Sequence, residues 1–137
     1  ITLTPTLVLK DDRPVLAVSV AGGDLQDQVT LNLLLDFIAF GLTPAEAVTA
    51  PRFSTAHHQD SFDPNPDREE AFIKAGLLTI NEAVDQEVRE ELAQRGHEVE
   101  SKDAAIGAPV MLYRDDAGDY HAAGDPAAGR HAAGLSD

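Results

Sequence analysis

Two adjacent glycines, Gly22 and Gly23, follow an apolar run and precede a segment with helical character. Glycine adopts positive φ angles without strain and has no β-carbon to obstruct a ligand. The first N–H groups of a helix have no partner within it, and the helix dipole makes that end partly positive. A turn of this kind can hold a carboxylate, a phosphate or the oxyanion of a reaction intermediate. The same pair also fits a tight connection that binds nothing, and the glycines alone do not decide between the two.

The elements around this turn are predicted from hydrophobic patterns. Thr6–Leu9 and Val15–Val20 are apolar and rich in β-branched residues, and the polar turn between them predicts a β-hairpin. Because Val15–Val20 is almost wholly apolar, we expect both faces of this strand to be covered. A helix should follow from Asp24 to about Phe40, with Asp24 or Asp27 as its cap. Its buried stripe is predicted at helical spacing: Leu31, Leu34, Leu35 and Ile38.

The rest of the chain alternates between short elements. Gly41 fits a C-terminal helix cap, and Thr43-Pro44-Ala45-Glu46 has the residues of a capping box that begins a short helix ending before Pro51. Ser54–Asp67 is predicted to be an irregular loop. We then expect a strand, a helix with Val88 and Leu92 inward, a strand and a second hairpin, over Leu77–Asn81, Asp85–Arg95, His97–Ser101, Pro109–Tyr113 and Asp119–Ala123. This order is typical of a layered α+β fold with a mixed or antiparallel sheet.

Size and charge limit the possible functions. The 137 residues correspond to a single domain, and 43% hydrophobic residues suit a globular protein. A net charge of −14 argues against binding to nucleic acid or to an anionic membrane surface. The chain has no cysteine, which excludes disulfides and thiolate metal sites.

Two polar clusters contain residue types that can bind metal ions. His57 and His58 lie near Asp60, but adjacent histidines rarely point at one ion, and a polar loop is the better interpretation. The acidic run from Asp115 to Asp119 lacks the spacing of a calcium loop and fits a hairpin turn. We therefore expect no metal and no cofactor.

Five blocks in order carry a family resemblance. They are Thr4–Ala17, Gly22-Gly23-Asp24, Phe40–Val48 with Ala50-Pro51-Arg52-Phe53, Ala122–Pro126, and Ala133-Gly134. Together they resemble the C-terminal half of the small subunit of γ-glutamyltranspeptidases, which are N-terminal-nucleophile hydrolases. The resemblance implies a part of an αββα sandwich, with mostly antiparallel sheet and flanking helices.

The resemblance also implies roles for particular residues. Gly22 and Gly23 match the glycines whose N–H groups form the oxyanion hole of this family. Thr2 matches one of two serines that bind the α-carboxylate of the γ-glutamyl group, whereas Ile1, in the place of the other, cannot donate a hydrogen bond. Two alternatives stay open: a related amide acylase of the cephalosporin-acylase kind, or a non-catalytic binding or assembly domain.

The nucleophile implied by the resemblance is an N-terminal threonine, freed by cleavage at a Thr-Thr pair, with its α-amino group as the base. This sequence contains no Thr-Thr pair. We therefore expect the chain to be a C-terminal fragment of a longer enzyme that acts on γ-glutamyl substrates, and to be inactive alone. Its expected partners are the remaining segments of that enzyme and, for the isolated chain, further copies of itself.

Overall fold

The computed structural model describes residues 3–72 and 74–133. In chain order the elements are β1 Thr6–Lys10, β2 Arg13–Ala21, a 3-10 turn Gly23–Leu25, α1 Gln26–Leu34, a π-helical turn Leu35–Ala39, α2 Pro44–Thr49, β3 Phe53–Thr55, β4 Leu77–Asn81, α3 Gln86–Gln94, β5 Glu98–Lys102, β6 Ala108–Arg114, β7 Tyr120–Gly124 and a 3-10 turn Pro126–Ala128. They belong to two compact units, Ile1–Ala50 with Gly107–Asp137, and Pro51–Ile106. The single domain over 1–137 stays a prediction, and we describe each unit by itself.

The first unit contains a four-stranded antiparallel sheet in the order β1-β2-β6-β7. Both predicted hairpins are confirmed as β1-β2 and β6-β7. At the tip of the first, Asp11 and Asp12 have φ angles of 52° and 60°, the two positive values of a type I′ turn. This turn matches the right-handed twist of the strands, so the hairpin forms without a glycine at its tip.

One face of this sheet is the core of the first unit. Leu16, Val18 and Val20 of β2 are buried there, and the buried side chains of the helices include Val29 and Leu33 of α1. The opposite face is open. Leu7 is 61% exposed and Leu112 43% exposed.

The prediction that both faces of Val15–Val20 are covered is therefore wrong. Its side chains alternate in size, and Ala17 and Ser19 stand between the large residues that point into the core. Because successive side chains of a strand point to opposite faces, Leu16, Val18 and Val20 share the buried face, whereas Ala17 and Ser19 lie on the open face.

The long helix forms where it was predicted, but it buries a different stripe. Gln26, Val29, Thr30 and Leu33 are buried, whereas Leu31, Leu35 and Ile38 are exposed by 57%, 45% and 63%. The predicted leucine stripe is wrong. Gln26, Val29, Thr30 and Leu33 also have helical spacing, and it is this second stripe that is buried where α1 packs on β2.

The capping of this helix also differs from the prediction. The N-cap positions of the 3-10 turn and of α1 are Gly22 and Leu25, so neither Asp24 nor Asp27 is an N-cap. At the other end, Gly41 has a φ angle of 72° and ends the helix as predicted.

The short helix α2 confirms its predicted cap. The Glu46 amide donates to the Thr43 hydroxyl at 3.3 Å, and the Thr43 amide donates to Oε2 of Glu46 at 2.8 Å. Pro44 occupies the first turn, and the helix ends at Thr49, before Pro51.

The second unit holds a three-stranded sheet in the order β3-β4-β5, with an antiparallel and a parallel pair. The strand Leu77–Asn81 and the helix ended by Gly96 are confirmed. Val88 of α3 was expected to point inward, but it is 46% exposed, and no residue of this helix is fully buried. The strand Phe53–Thr55 takes up the first residues of the predicted loop. Among the described residues, no helix has the length and apolar composition needed to cross a membrane.

Candidate active site

The Gly22-Gly23 turn joins the end of β2 to the long helix. β2 ends at Ala21, and the 3-10 turn that begins at Gly23 runs directly into α1. Gly23 has a φ angle of 60°, in the left-handed region that favours glycine. This confirms the predicted strand-to-helix turn. The role of the turn as an oxyanion hole stays a prediction at this point.

The carbonyls and the amides of the two glycines differ in their hydrogen bonding. Their carbonyls are used, because Gly22 O accepts from the Leu25 amide at 3.1 Å and Gly23 O accepts from the Gln26 amide. Within residues 3–72 and 74–133, neither glycine N–H donates a hydrogen bond. Gly22 is exposed and Gly23 half-buried. Two unpaired donors therefore stand at the positive end of a helix, where they can bind an anionic oxygen.

A polar contact beside the turn was not predicted from the sequence. The Thr4 hydroxyl donates to Oε1 of Gln26 at 3.4 Å, and Gln26 is 8% exposed. The contact places the segment that precedes β1 against the first turn of α1. Thr2, the residue predicted to bind the substrate carboxylate, lies outside the described residues, and its role stays a prediction. No sequence signal pointed to this contact, because the burial of Gln26 depends on the rotation of the helix.

The acidic loop between β6 and β7 is a hairpin turn. The Gly118 amide donates to Asp115 O at 3.1 Å, and Nε2 of His121 lies 2.9 Å from Oδ2 of Asp115. The hydrogen bond from His121, followed by that of the Asp119 amide, holds the pKa of the Asp115 carboxyl below its ordinary value. No group of three or more histidine, aspartate or glutamate side chains in the described part of the chain is arranged to hold a metal ion.

The Gly124-Asp125-Pro126 block has a structural role. Asp125 is 3% exposed, and its carboxylate accepts from the Ala127 amide at 2.9 Å. Its main-chain carbonyl accepts from the Arg130 amide at 2.8 Å. These bonds end β7 and fold the following segment back over Gly124.

A family model described as gamma-glutamyltranspeptidase matches residues 1–135. The chain belongs to the gamma-glutamyltranspeptidase family. The resemblance carried by the five sequence blocks is thereby confirmed.

A known relative supports this family membership. The chain is 30% identical to the glutathione hydrolase proenzyme of Escherichia coli (strain K12) over 125 residues, which are 91% of this chain and 19% of that protein. The chain thus spans about a fifth of the length of this relative.

Two solved structures extend the comparison. The gamma-glutamyltranspeptidase from Pseudomonas nitroreducens complexed with L-DON has a TM-score of 0.74 at 20% identity, over 99% of this chain and 63% of that chain. The cephalosporin acylase from Bacillus halodurans has a TM-score of 0.73 at 22% identity, over 90% of this chain and 20% of that chain. These similarities confirm the predicted fold class, α+β with mostly antiparallel sheet and flanking helices.

Proposed function

We propose that this chain supplies the oxyanion hole of an enzyme that transfers or hydrolyses γ-glutamyl groups, through the amides of Gly22 and Gly23. The observation that carries this proposal is a pair of N–H groups at a strand-to-helix turn that donate to no other described residue, in a member of this family. Backbone amides fixed by such a turn need no rearrangement when charge develops on the substrate oxygen.

The proposed reaction is acyl transfer through a covalent intermediate. The hydroxyl oxygen of the nucleophile attacks the γ-carbonyl carbon and gives its proton to the α-amino base, and the carbonyl π electrons move onto the carbonyl oxygen, which becomes the oxyanion. The two glycine amides donate to this oxygen. The tetrahedral intermediate collapses, the C–N bond breaks, and the leaving amine takes up the proton that the base holds. Water or an amino-acid amine then attacks the acyl-enzyme and gives a proton to the base. The ester C–O bond breaks, the γ-glutamyl group leaves on the acceptor, and the base returns the proton to the hydroxyl oxygen.

The nucleophile belongs to another segment of the enzyme in this proposal. The family resemblance implies an N-terminal threonine freed at a Thr-Thr pair, and no Thr-Thr pair occurs in these 137 residues. The 137-residue chain therefore has no turnover by itself. The curated relative is about five times as long as the matched part, which supports the idea that further segments complete the site.

The open face of the first sheet is the proposed contact with those segments. A groove of about 560 Å³ runs along it, and its lining includes Leu7, Ala17 and Leu112. Large apolar patches are rarely left bare on monomers. We propose that another segment of the same enzyme packs on this face.

The acyl group is proposed to be γ-glutamyl, as in glutathione. The E. coli relative is named a glutathione hydrolase proenzyme, and Thr2 is proposed to donate a hydrogen bond to the substrate α-carboxylate. Ile1 favours the second candidate, an amide acylase, because an isoleucine cannot replace the donor that the family places there.

The experiment compares two anilides with the full-length gene product. A γ-glutamyl anilide and a glutaryl anilide differ only in the α-amino group, so their ratio of kcat/KM reports the acyl specificity. Preference for the γ-glutamyl compound supports the first candidate, and preference for the glutaryl compound supports the acylase. Turnover of neither, in a reading frame without a Thr-Thr pair, would favour a non-catalytic domain.

A matched pair of variants tests the substrate contact. Thr2→Val removes the hydroxyl and should raise KM for the γ-glutamyl anilide about tenfold, since a hydrogen bond to a charged group contributes roughly 1.5 kcal/mol or more. Thr2→Ser keeps the hydroxyl and should leave KM unchanged. Equal KM values for the two variants would remove Thr2 from the site.

A further inference from the structure

The residue that precedes β6 lies beside the glycine turn. The antiparallel register of β2 and β6 pairs Val20 with Pro109 and Ala21 with Ala108. One step further along both strands, the same register brings Gly107 next to Gly22. Gly107 therefore faces the turn although the two glycines are far apart in the sequence.

Gly107 occupies a position where a β-carbon would be crowded. It has a φ angle of 71°, and a β-carbon there would meet Cγ2 of Val29 at 3.0 Å and Cγ1 of Val20 at 3.3 Å. Its Cα atom lies 3.4 Å from the place that a β-carbon on Gly22 would occupy. The backbones of the two glycines thus pass one another without an intervening side chain.

The neighbours of Gly107 cannot easily move away. Val29 is 0% exposed and Val20 4% exposed, and both are β-branched and so restricted in χ1. We therefore expect a side chain at position 107 to shift the main chain around residue 107, next to the glycine turn.

We infer that Gly107 is a positioning residue that fixes the direction of the Gly22 and Gly23 amides. Because Gly107 has no side chain, the backbone of the segment before β6 packs directly against the backbone of the turn. The expected effect on turnover rests on the proposed oxyanion role of the turn. The effect on the conformation of the turn does not, because hydrogen–deuterium exchange measures it without turnover.

The test uses Gly107→Ala in the full-length gene product, with Gly41→Ala as the matched control. Gly41 has a φ angle of 72°, against 71° at Gly107, and a β-carbon there meets nothing within 4 Å. Both substitutions therefore introduce the same left-handed backbone strain, and only Gly107→Ala crowds the two valines. The readouts are hydrogen–deuterium exchange of the segment 20–25, and kcat and KM for a γ-glutamyl anilide.

We expect Gly107→Ala to raise the exchange rate of segment 20–25 at least threefold and to lower kcat at least tenfold, with KM changed less than twofold. Gly41→Ala should change none of these. If exchange changes and kcat does not, Gly107 positions the turn and the oxyanion assignment fails. If exchange in segment 20–25 is the same in both variants, the inference is overturned whatever happens to turnover.

A second variant covers a failure to fold. Val29→Ala removes the Cγ2 atom, which is the nearer of the two contacts of a β-carbon at position 107. The double variant Gly107→Ala/Val29→Ala should therefore recover folded protein, with an exchange rate at the turn closer to the wild type than that of Gly107→Ala. A double variant that recovers neither overturns the inference.

Discussion

The Cα atom of Gly107 lies 3.4 Å from the point that a β-carbon on Gly22 would occupy. The candidate active-site turn thus lies against the residue that precedes β6, although the two are far apart in the sequence. The two are brought together by the register of β2 and β6, in which Ala21 pairs with Ala108. The amides of the turn are therefore supported by the sheet and not by the local sequence alone.

Gly124 is the position where an added methyl group should cost most stability. A β-carbon there would lie 2.9 Å from the main-chain carbon of Arg130 and 3.0 Å from the amide nitrogen of His131. Because these are backbone atoms, the segment must shift, and Gly124→Ala should lower the free energy of unfolding by about 2 kcal/mol, as other overpacking substitutions do.

The control for this prediction is Gly22→Ala. The nearest atoms to a β-carbon at Gly22 are 3.4 Å and 3.5 Å away, which is ordinary van der Waals contact. Urea unfolding should show a much smaller loss for Gly22→Ala than for Gly124→Ala. Equal losses would mean that the segment after β7 does not pack on Gly124 as described.

The capping box of α2 should make stability depend on pH. Hydrogen bonds from the amide and then the hydroxyl of Thr43 lower the pKa of the Glu46 carboxyl. A lowered pKa in the folded state stabilises the protein above the ordinary carboxyl pKa, and this stabilisation is lost as pH falls through the lowered value. Glu46→Gln should therefore lower Tm at pH 6, with a difference from the wild type that narrows below about pH 4.5.

Two variants delimit this effect. Thr43→Ala removes the cap itself and should cost about 1 kcal/mol at neutral pH. Glu87→Gln also removes a carboxylate from the first turn of a helix, but α3 has no side-chain cap hydrogen bond. A pH-independent difference for Glu46→Gln, or an equal one for Glu87→Gln, would contradict the role of the capping box.

The isolated 137-residue chain should self-associate. Leu7 and Leu112 on the open sheet face are 61% and 43% exposed, and β1 and β7 are the outer strands of the sheet. Bare apolar faces and strand edges promote pairing with a second chain. Light scattering at micromolar concentration should show a dimer or larger species, and Leu7→Lys/Leu112→Lys should shift it toward the monomer. A wild-type monomer would count against the open face as an interface.

The same isolated chain should show no γ-glutamyl hydrolase or transferase activity. The reason is that the proposed nucleophile is not among its residues, since the sequence has no Thr-Thr pair. Release of aniline from a γ-glutamyl anilide is the measurement, with the full-length gene product as the positive control. Turnover that persists through purification and disappears in Thr2→Val would identify Thr2 as the nucleophile instead.

Caps and hairpins could be predicted from the sequence, because they depend on residues that are close together in the chain. The capping box at Thr43 and Glu46, the glycines after two helices and the two hairpins are confirmed, because each depends on residues next to one another. The position of Gly22 and Gly23 between a strand and a helix is confirmed for the same reason.

Features that depend on distant packing could not be predicted. Leu31 and Leu35 looked more hydrophobic than Gln26 and Thr30, yet the latter are buried, because the entry turn and β2 set the rotation of the helix. The support of the turn by Gly107 depends on a register between distant strands. The hydrophobic pattern of one sequence predicts neither the rotation of a helix nor the register of distant strands.

The central claim is that the amides of Gly22 and Gly23 bind the oxyanion, and replacing one N–H by an ester oxygen tests it most directly. Glycolic acid in place of Gly23 removes the donor and adds no side chain. The matched control is the same exchange at Gly41, whose N–H likewise donates no hydrogen bond among the described residues. The account predicts that kcat for a γ-glutamyl anilide in the full-length gene product falls about 10²- to 10³-fold for the Gly23 ester, with KM nearly constant. A kcat within threefold of the wild type for esters at both Gly22 and Gly23 would contradict it.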